Sequence, residues 1–196
     1  MLTRLVLIRH GLTLWNKKGR YCGCKDVALS RQGRLQAKRL SQKLRRVKFD
    51  RIYSSDKSRA LQTARIIFKQ AKINRVSGLG EIDFGVLEGL RHKEVMQKYA
   101  DVYKQWIADP YHHRIPGSES MPAFKKRVYA AIKKIIKLNA GKNLAIVSHG
   151  GVIGVLVSSI LKKRNFWNYI PKATSMTVVE YKKGIFKIQG RFSTQS

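Results

Sequence analysis

The sequence predicts an α/β fold whose central sheet is mostly parallel. Two short apolar runs, Leu5–Ile8 and Leu144–Val147, have the length and the uninterrupted hydrophobicity of strands that are buried on both faces. Segments in which apolar residues recur at helical spacing alternate with short strand candidates along the 196 residues. Because strands that alternate with helices pair mainly in parallel, this pattern indicates a series of βα units.

The first half of the chain contains two predicted strands and two predicted helices. The first strand leads into a loop over Leu12–Leu29, which has two glycines and scattered polar residues. Ser30 is a suitable N-cap for a helix, although Gly33 lies in its first turn. A second strand spans Phe49–Tyr53, and the polar cluster Ser54–Asp56 opens the next helix. The residues predicted to face the core from the two helices are Leu35, Ala37, Leu40 and Leu44, followed by Ala60, Leu61, Ala64, Ile67 and Phe68.

The second half of the chain ends in a strand, an apolar helix and a hairpin. Asp109-Pro110 ends a long helical pattern, and Ser120 caps the next helix, which tolerates Pro122 in its first turn. The hairpin turns at Lys182–Gly184 and adds at least one antiparallel strand. The predicted elements are a candidate strand over Val76–Leu79, helices over His92–Ala108, from Ser120 and over Val152–Leu161, and strands over Asn143–Ser148, Met176–Tyr181 and Phe186–Gln189.

The charge of the chain is strongly positive, with 41 Lys and Arg residues against 11 Asp and Glu residues. Such a field favours anionic partners, which include phosphorylated metabolites and nucleic acid. The basic residues are spread along the chain, however, and the cluster between Val27 and Phe49 is more simply explained as a solvated helix face. We therefore expect an anionic small molecule as the partner in preference to nucleic acid.

Length and cysteine content indicate the organisation of the chain. We expect residues 1–196 to form a single domain with a sizeable core. Cys22 and Cys24 are the only cysteines, and their spacing suits neither a disulfide nor a zinc site, so we expect free thiols, no metal and a cytoplasmic location. The N-terminus does not resemble a signal peptide, and Val152–Leu161 is about half as long as a membrane span, so no membrane partner is expected.

Polar side chains follow two of the buried strands at the point where each strand ends. The first strand is followed by Arg9-His10-Gly11, and the later one by Ser148-His149-Gly150. Ligands of open α/β sheets bind at the carboxyl ends of neighbouring strands, so His10 and His149 are expected to converge there. The helices that follow begin with free backbone N–H groups, which favour an anion.

Arg59 and Glu81 complete the predicted site. Arg59 opens the helix after the second strand and, with Arg9, can hold the oxygens of a phosphoryl group. A histidine with a free ring nitrogen can attack phosphorus, and Glu81 can protonate the leaving oxygen. Each residue has a structural alternative: a satisfied core histidine, a surface arginine or an ion-paired glutamate. Their joint occurrence on three βα units favours a phosphate site.

Residues 9–16 match the signature R-H-G-x-T-x-W-N, and the chain thereby resembles the histidine phosphatase (phosphoglycerate mutase-like) superfamily. The resemblance continues through positions within Ser54–Ala64, Glu81–Gly89, Pro116–Arg127 and Val147–Ile153, in the same order. It implies a three-layer α/β/α sandwich and a reaction that needs neither metal nor cofactor and forms a phosphohistidine.

The resemblance also implies a role for each site residue. His10 is the implied nucleophile. Glu81 is the implied acid, which protonates the leaving group and then helps to activate the water that hydrolyses the intermediate. The catalytic set is His10, Glu81, Arg9, Arg59 and His149, and the predicted phosphate-binding residues are Arg9, Asn16, Arg59, His149 and Gly150.

We expect a phosphatase that hydrolyses a small-molecule phosphate monoester. Residues 82–89 and 116–120 resemble the corresponding segments of α-ribazole phosphatases and broad-specificity phosphatases, which makes α-ribazole 5′-phosphate the candidate substrate. The alternatives are a phosphoglycerate mutase, which would be longer around the site, and a basic nucleic-acid-binding protein on a phosphatase scaffold. Residues 91–117 are predicted to form a small helical lid that determines substrate specificity, although the aromatic residues between Tyr99 and Trp106 also suit a helix core. Oligomeric state cannot be predicted from the sequence.

Overall fold

The computed structural model describes residues 1–192, and its centre is a six-stranded sheet. The strands are β1 (Thr3–Arg9), β2 (Arg51–Ser54), β3 (Ile73–Arg75), β4 (Asn143–Ser148), β5 (Met176–Lys182) and β6 (Ile185–Phe192). They lie in the order β3-β2-β4-β1-β5-β6. The first four strands run parallel, whereas β5 pairs antiparallel with β1 and β6 pairs antiparallel with β5. The predicted mostly parallel sheet with a closing hairpin is confirmed.

Helices cover both faces of the sheet. The helices are α1 (Leu14–Lys17), α2 (Arg31–Leu44), α3 (Ser58–Phe68), α4 (His92–Lys98), α5 (Ala100–Ala108), α6 (Met121–Lys137) and α7 (Gly150–Ile160). α2 and α3 pack on one face, and α6 and α7 pack on the other. The three-layer α/β/α sandwich is confirmed. Among residues 1–192, none of the helices combines the length and the apolar composition needed to cross a membrane.

The alternation of side chains along β1 explains why the sheet needs both helical layers. Leu5 and Leu7 point to the layer of α6 and α7, whereas Val6 and Ile8 point to the layer of α2 and α3. All four are almost completely buried, so neither face of this strand is solvated. Successive residues of a strand point to opposite faces, and a continuous apolar run is therefore stable only between two layers.

The predicted strand over Val76–Leu79 is wrong, because that stretch is the turn after β3. Ser77–Leu79 is a single turn of 3₁₀ helix. The backbone carbonyls of Gly78 and Gly80 accept hydrogen bonds of 3.1 and 3.0 Å from the Arg127 guanidinium. These acceptors are thus bound by a side chain from α6 and not by a neighbouring strand.

The first long helix, α2, departs from the prediction at one position of its apolar stripe. Ser30 is the N-cap, as predicted, and accepts a hydrogen bond from the backbone N–H of Gly33 at 3.1 Å. Leu35, however, is 48% exposed, and the neighbouring Gln36 is buried instead. The side-chain oxygen of Gln36 accepts a hydrogen bond from the Leu12 N–H at 3.0 Å. A polar contact therefore attaches α2 to the loop that follows β1.

Residues 91–117 contain two short helices where a single long one was predicted. α4 and α5 meet at Tyr99, whose φ of −141° is incompatible with a continuous helix. Their apolar side chains form a separate hydrophobic cluster, in which Trp106 is only 2% exposed. The hydroxyl of Tyr21 donates a hydrogen bond to that of Tyr103 at 2.6 Å. Trp106 is therefore a core residue and Tyr103 packs against the same cluster, which is the second of the two interpretations offered for these aromatics.

Gly33 allows the backbone of α2 to approach the loop after β1 closely. A Cβ atom at this position would lie 2.1 Å from the carbonyl oxygen of Leu12, and one at Gly11 would lie 2.5 Å from the carbonyl oxygen of Gly33. Neither neighbour is a flexible side chain, so relief would require movement of the backbone. The loop directly after β1 is therefore held by a contact that only glycines permit.

We predict that Gly33→Ala destabilises the protein, although alanine is the better helix former. The steric conflict with Leu12 should lower the free energy of unfolding by about 1–3 kcal/mol, as overpacking usually does. Urea unfolding followed by circular dichroism measures the effect. Gln32→Ala, at an exposed position of the same turn, serves as the control and should change the free energy by less than about 0.5 kcal/mol. A stabilised Gly33→Ala variant would contradict the close approach.

Candidate active site

The sheet places the two histidines side by side at the carboxyl ends of β1 and β4. Arg9 is the register partner of Ser148, and the backbone N–H of His10 donates to the carbonyl of Ser148 at 2.9 Å. The rings of His10 and His149 lie 5.1 Å apart between centroids and meet edge to face. Both side chains are buried. The predicted convergence of these residues is therefore present in the structure.

The hydrogen bonds of His10 define its neutral tautomer. Its Nδ1 lies 2.7 Å from the carbonyl oxygen of Gly11, and because a carbonyl can only accept, Nδ1 carries the proton. The lone pair therefore resides on Nε2. Burial lowers the pKa of His10 far below its ordinary value, and the positive charges of Arg59 and Arg9 lower it further. The imidazole is thus neutral and has a free nitrogen, as a nucleophile requires.

Arg59 is fully buried, although it forms no ion pair with a carboxylate of residues 1–192. It lies in the first turn of α3, and its guanidinium donates to the carbonyls of Gly23 and Lys25 at 2.6 and 2.9 Å. Its Nε donates to Nδ1 of His149 at 3.2 Å. The ion pairs found within residues 1–192 do not include Arg59 or Arg9. Burial of an unpaired cation costs several kcal/mol, which is a common feature of sites that bind anions.

Arg9 lies at the end of β1, beside the start of α7. Its Nη1 donates to the carbonyl of Pro171 at 2.6 Å, and its buried Nε has no hydrogen-bond partner in the described part of the chain. A Cβ atom at Gly150 would lie only 3.1 Å from the Cζ atom of Arg9. Glycine at the first position of α7 thus lets the guanidinium lie against the helix N-terminus.

His149 connects Arg59 to Ser55. Because Nδ1 of His149 accepts from the Arg59 guanidinium, its proton lies on Nε2, which donates to the Ser55 hydroxyl at 2.8 Å. Burial lowers the pKa of His149 far below its ordinary value, and Arg59, His10 and Arg9 add to that effect. His149 is therefore neutral and is oriented from both ring nitrogens.

Glu81 lies at the N-terminus of α7. Its two carboxylate oxygens accept hydrogen bonds from the backbone N–H groups of Gly151, at 2.9 Å, and Ile82, at 3.1 Å. A Cβ atom at Gly151 would lie 2.3 Å from the carboxylate, so this contact requires glycine. Burial raises the pKa of Glu81, although these hydrogen bonds and the charges of Arg59 and Arg9 oppose the shift. The environment thus favours the protonated carboxyl.

Asn16 lies in α1, a short helix within the stretch predicted to be a loop. Its side-chain oxygen accepts from the backbone N–H of Thr13 at 3.1 Å, and Thr13 in turn caps the backbone N–H of Asn16. The hydrogen bonds found among residues 1–192 do not use the side-chain NH₂ of Asn16. The amide therefore has a fixed orientation and donors that a ligand can use.

One group of possible metal ligands lies close to this site. A ligand atom from each of Cys24, Asp83 and Glu88 falls within 4.8 Å of the other two. Burial and a hydrogen bond with Asp83 raise the pKa of Cys24 to about 11, so the thiol keeps its proton at neutral pH. The Asp83 and Glu88 oxygens already accept backbone hydrogen bonds. The donor set is thus satisfied internally and does not fit a soft metal, which needs a thiolate.

Two supporting residues could not be recognised from the sequence. Ser55 orients His149, and the Thr63 hydroxyl accepts from the backbone N–H of Gly11 at 3.0 Å while it donates to the carbonyl of Arg59 at 2.7 Å. Both lie inside a segment that carried the resemblance. Serine before a helix is an ordinary capping residue, and threonine within a helix commonly donates to the carbonyl four residues earlier, so the pattern alone does not identify either hydroxyl as a support of the site.

Comparisons with known proteins agree with this arrangement. The sequence profile of the histidine phosphatase superfamily (branch 1) matches residues 5–194. Phosphoserine phosphatase 1 of Hydrogenobacter thermophilus is 31% identical over 182 residues, which cover 91% of this chain and 86% of that protein.

Solved structures give the same result. The α-ribazole phosphatase of Shigella flexneri superposes with a TM-score of 0.88 at 29% identity and covers 97% of this chain and 96% of its own. A phosphoserine phosphatase mutant of Entamoeba histolytica in complex with phosphoserine superposes with a TM-score of 0.87 at 30% identity over 98% of both chains. The chain is therefore a phosphatase that belongs to the histidine phosphatase superfamily (branch 1).

Proposed function

We propose that this phosphatase hydrolyses a small-molecule phosphate monoester through a phosphohistidine at His10. The charge imbalance around that residue is the observation that carries the proposal. Two desolvated arginines, Arg9 and Arg59, flank a neutral imidazole, and neither forms an ion pair with a carboxylate of residues 1–192. A phosphoryl group supplies the negative charge that this site lacks.

The donors of the site suit the oxygens of that group. A guanidinium has five N–H groups. Each of the three guanidinium nitrogens of Arg59 donates one hydrogen bond, to His149, the Lys25 carbonyl or the Gly23 carbonyl. One N–H group each on Nη1 and Nη2 is left for phosphoryl oxygens. The unpartnered Nε–H of Arg9 and the first backbone N–H groups of α7 at Gly150 add to these donors. The side-chain NH₂ of Asn16 supplies another.

The reaction proceeds in two displacements. Nε2 of His10 attacks phosphorus, the bond from phosphorus to the ester oxygen breaks, and Glu81 gives its proton to the departing oxygen. A water molecule then attacks the phosphohistidine and loses its proton to the Glu81 carboxylate. The bond from phosphorus to Nε2 breaks, and inorganic phosphate is released. His10 and Glu81 thereby return to their starting protonation states.

The substrate within this class is proposed from the comparisons. The likeness to an α-ribazole phosphatase structure supports α-ribazole 5′-phosphate, and the likeness to two phosphoserine phosphatases supports phosphoserine as the second candidate. Initial rates over a panel of both esters, 3-phosphoglycerate and p-nitrophenyl phosphate separate them by kcat/KM. Formation of 2-phosphoglycerate from 3-phosphoglycerate would instead indicate a mutase, and a salt-dependent shift of a nucleic-acid probe without turnover would indicate a binding protein.

We also propose that residues 1–196 act as one domain in which residues 91–117 form the substrate-specificity segment. The hydrophobic cluster of this segment packs against Tyr21 and Phe84. Tyr21 precedes the loop whose carbonyls, at Gly23 and Lys25, accept hydrogen bonds from the Arg59 guanidinium. Phe84 lies three residues after Glu81. These contacts connect the segment with the loops that carry Gly23 and Glu81, which supports its role in substrate specificity.

His10→Ala should abolish hydrolysis of p-nitrophenyl phosphate, with a loss of about 10⁴-fold or more in kcat, because the nucleophile is removed. Wild-type protein quenched during turnover should carry phosphate that acid releases and alkali does not, as expected for a phosphohistidine. Circular dichroism of the variant confirms that it is folded. Substantial turnover by the folded variant would rule out His10 as the nucleophile.

Inorganic phosphate should stabilise the wild-type protein through Arg59. Saturation to 100 times the dissociation constant adds about 2.7 kcal/mol to the free energy of unfolding, which thermal denaturation detects as a higher midpoint. Arg59→Met should lose this increase and also most of the phosphatase activity. Arg65→Met, at an exposed position of the same helix, is the matched control and should retain both. Equal stabilisation of the two variants by phosphate would contradict the proposed anion site.

The pH profile should report the proton on Glu81. The carboxyl must be protonated to act as the acid, so kcat/KM should fall as the pH rises through the raised pKa of Glu81, while the acid limb, set by protonation of His10, should lie below the ordinary histidine range. Glu81→Gln should lack the alkaline limb. It should also lose about 10²–10⁴-fold with alkyl phosphates and much less with p-nitrophenyl phosphate, whose leaving group needs no proton. Equal losses with both esters would argue against the acid role.

A further inference from the structure

We propose that Glu88 is a positioning residue that holds Arg59 in its anion-binding orientation through one peptide group. This inference rests on the proposed phosphate-binding role of Arg59. Glu88 follows a short 3₁₀ turn over Gly85–Leu87, and its hydrogen bonds in the described chain go to none of the residues assigned to the reaction. Its effect on the site is therefore transmitted through the backbone groups that it contacts.

The Glu88 carboxylate accepts hydrogen bonds from three backbone N–H groups in two separate loops. Its Oε1 accepts from Gly23 at 3.0 Å, from Cys24 at 2.9 Å and from Phe84 at 3.2 Å, and its Oε2 accepts from Gly23 at 3.1 Å. Gly23 and Cys24 belong to the loop between α1 and α2, and Phe84 belongs to the loop that carries Glu81. The carboxylate therefore joins the two loops on either side of the site.

The peptide group between Gly23 and Cys24 connects the two charges. Its N–H donates to Glu88, and its carbonyl oxygen accepts from Nη2 of Arg59 at 2.6 Å. Because a trans peptide is planar and its N–H and C=O point in opposite directions, a carboxylate on one side fixes the direction of the carbonyl on the other. The negative charge also polarises this peptide group so that its oxygen binds the guanidinium more strongly.

The packing around Gly23 leaves this peptide little freedom. A Cβ atom at Gly23 would lie 2.0 Å from the carbonyl oxygen of Ile82 and 2.4 Å from Oε1 of Glu88. On the other side of the loop, the carboxylate of Asp26 accepts from the backbone N–H and the hydroxyl of Ser58 at 2.7 Å each. The loop is thus attached at both ends, by Glu88 and by the start of α3.

The arrangement supplies a counter-charge without occupying the binding site. A carboxylate in direct contact with Arg59 would use the N–H groups that the phosphoryl group needs and would repel its oxygens. Separation of Glu88 from Arg59 by one peptide group keeps those N–H groups available. Glu88 therefore orients the guanidinium, while its own charge stays on the far side of the loop.

The test measures phosphate affinity directly. The inhibition constant of inorganic phosphate, together with kcat and KM for p-nitrophenyl phosphate, is measured for wild type, Glu88→Ala, Glu88→Gln and the control Glu180→Ala. Glu88→Ala should raise the inhibition constant and KM at least about tenfold, because the guanidinium loses its fixed position. Glu88→Gln should recover most of the loss, since its side-chain oxygen can still accept the three N–H groups. Glu180→Ala removes an acid from strand β5 and should match wild type.

A double-mutant cycle separates positioning from a general loss of stability. If Glu88 acts through Arg59, the phosphate affinity of Arg59→Lys, which keeps the positive charge but lacks the planar guanidinium, should be the same with and without Glu88→Ala. Glu88→Asp, which is one methylene too short to reach both loops, takes the place of Glu88→Ala if urea unfolding shows that the alanine variant is not folded.

The outcomes distinguish this inference from the proposed function. Wild-type phosphate affinity in Glu88→Ala, or additive losses in the double variant, would overturn the positioning role alone. Wild-type protein that neither binds phosphate nor turns over p-nitrophenyl phosphate would instead overturn the proposed function.

Discussion

The structure depends on the burial of Arg59 and the partial burial of Arg9 beside two neutral histidines, with no ion pair between either arginine and a carboxylate of residues 1–192. Arg59 is fully desolvated, and its hydrogen bonds go to two carbonyls and an imidazole nitrogen. Such an arrangement costs several kcal/mol, and the packed sandwich around it offsets that cost. In the proposed function, the negative charge of a bound phosphoryl group would recover this cost.

Burial moves the pKa values of the histidines and of Glu81 in opposite directions. Burial lowers the pKa of His10 and His149, and the arginines lower both further. Burial has the opposite effect on Glu81, whose pKa rises. The environment therefore favours the neutral form of His10 and shifts Glu81 towards its protonated form relative to an exposed carboxyl. Groups whose environments move their pKa values apart are the usual acid and base of an enzyme, and this pair fits the two steps that hydrolysis requires.

Close backbone contacts position the loops and side chains of the site. At Gly11 and Gly33 the loop after β1 lies against α2, and at Gly150 and Gly151 the start of α7 lies against Arg9 and Glu81. At each of these positions the missing Cβ leaves room for the neighbouring group. The two helical layers thus do more than cover the sheet. They fix the loops at its carboxyl edge, where every charged group of the site is located.

The sequence alone determined the mostly parallel α/β sheet and the residues at the strand ends, because apolar runs and the Arg-His-Gly and Ser-His-Gly segments are local patterns, and the resemblance to a known family implied the three layers. It could not determine the break at Tyr99, the exposure of Leu35 or the turn over Ser77–Leu79, since these depend on contacts with distant elements. Only the tertiary structure showed which histidine nitrogen is free, that Arg59 has no ion-pair partner among residues 1–192, and that Glu88 accepts a hydrogen bond from Gly23, 65 residues away. Hydrogen-bond direction and charge compensation are properties of neighbours in space, and the linear order of residues does not contain them.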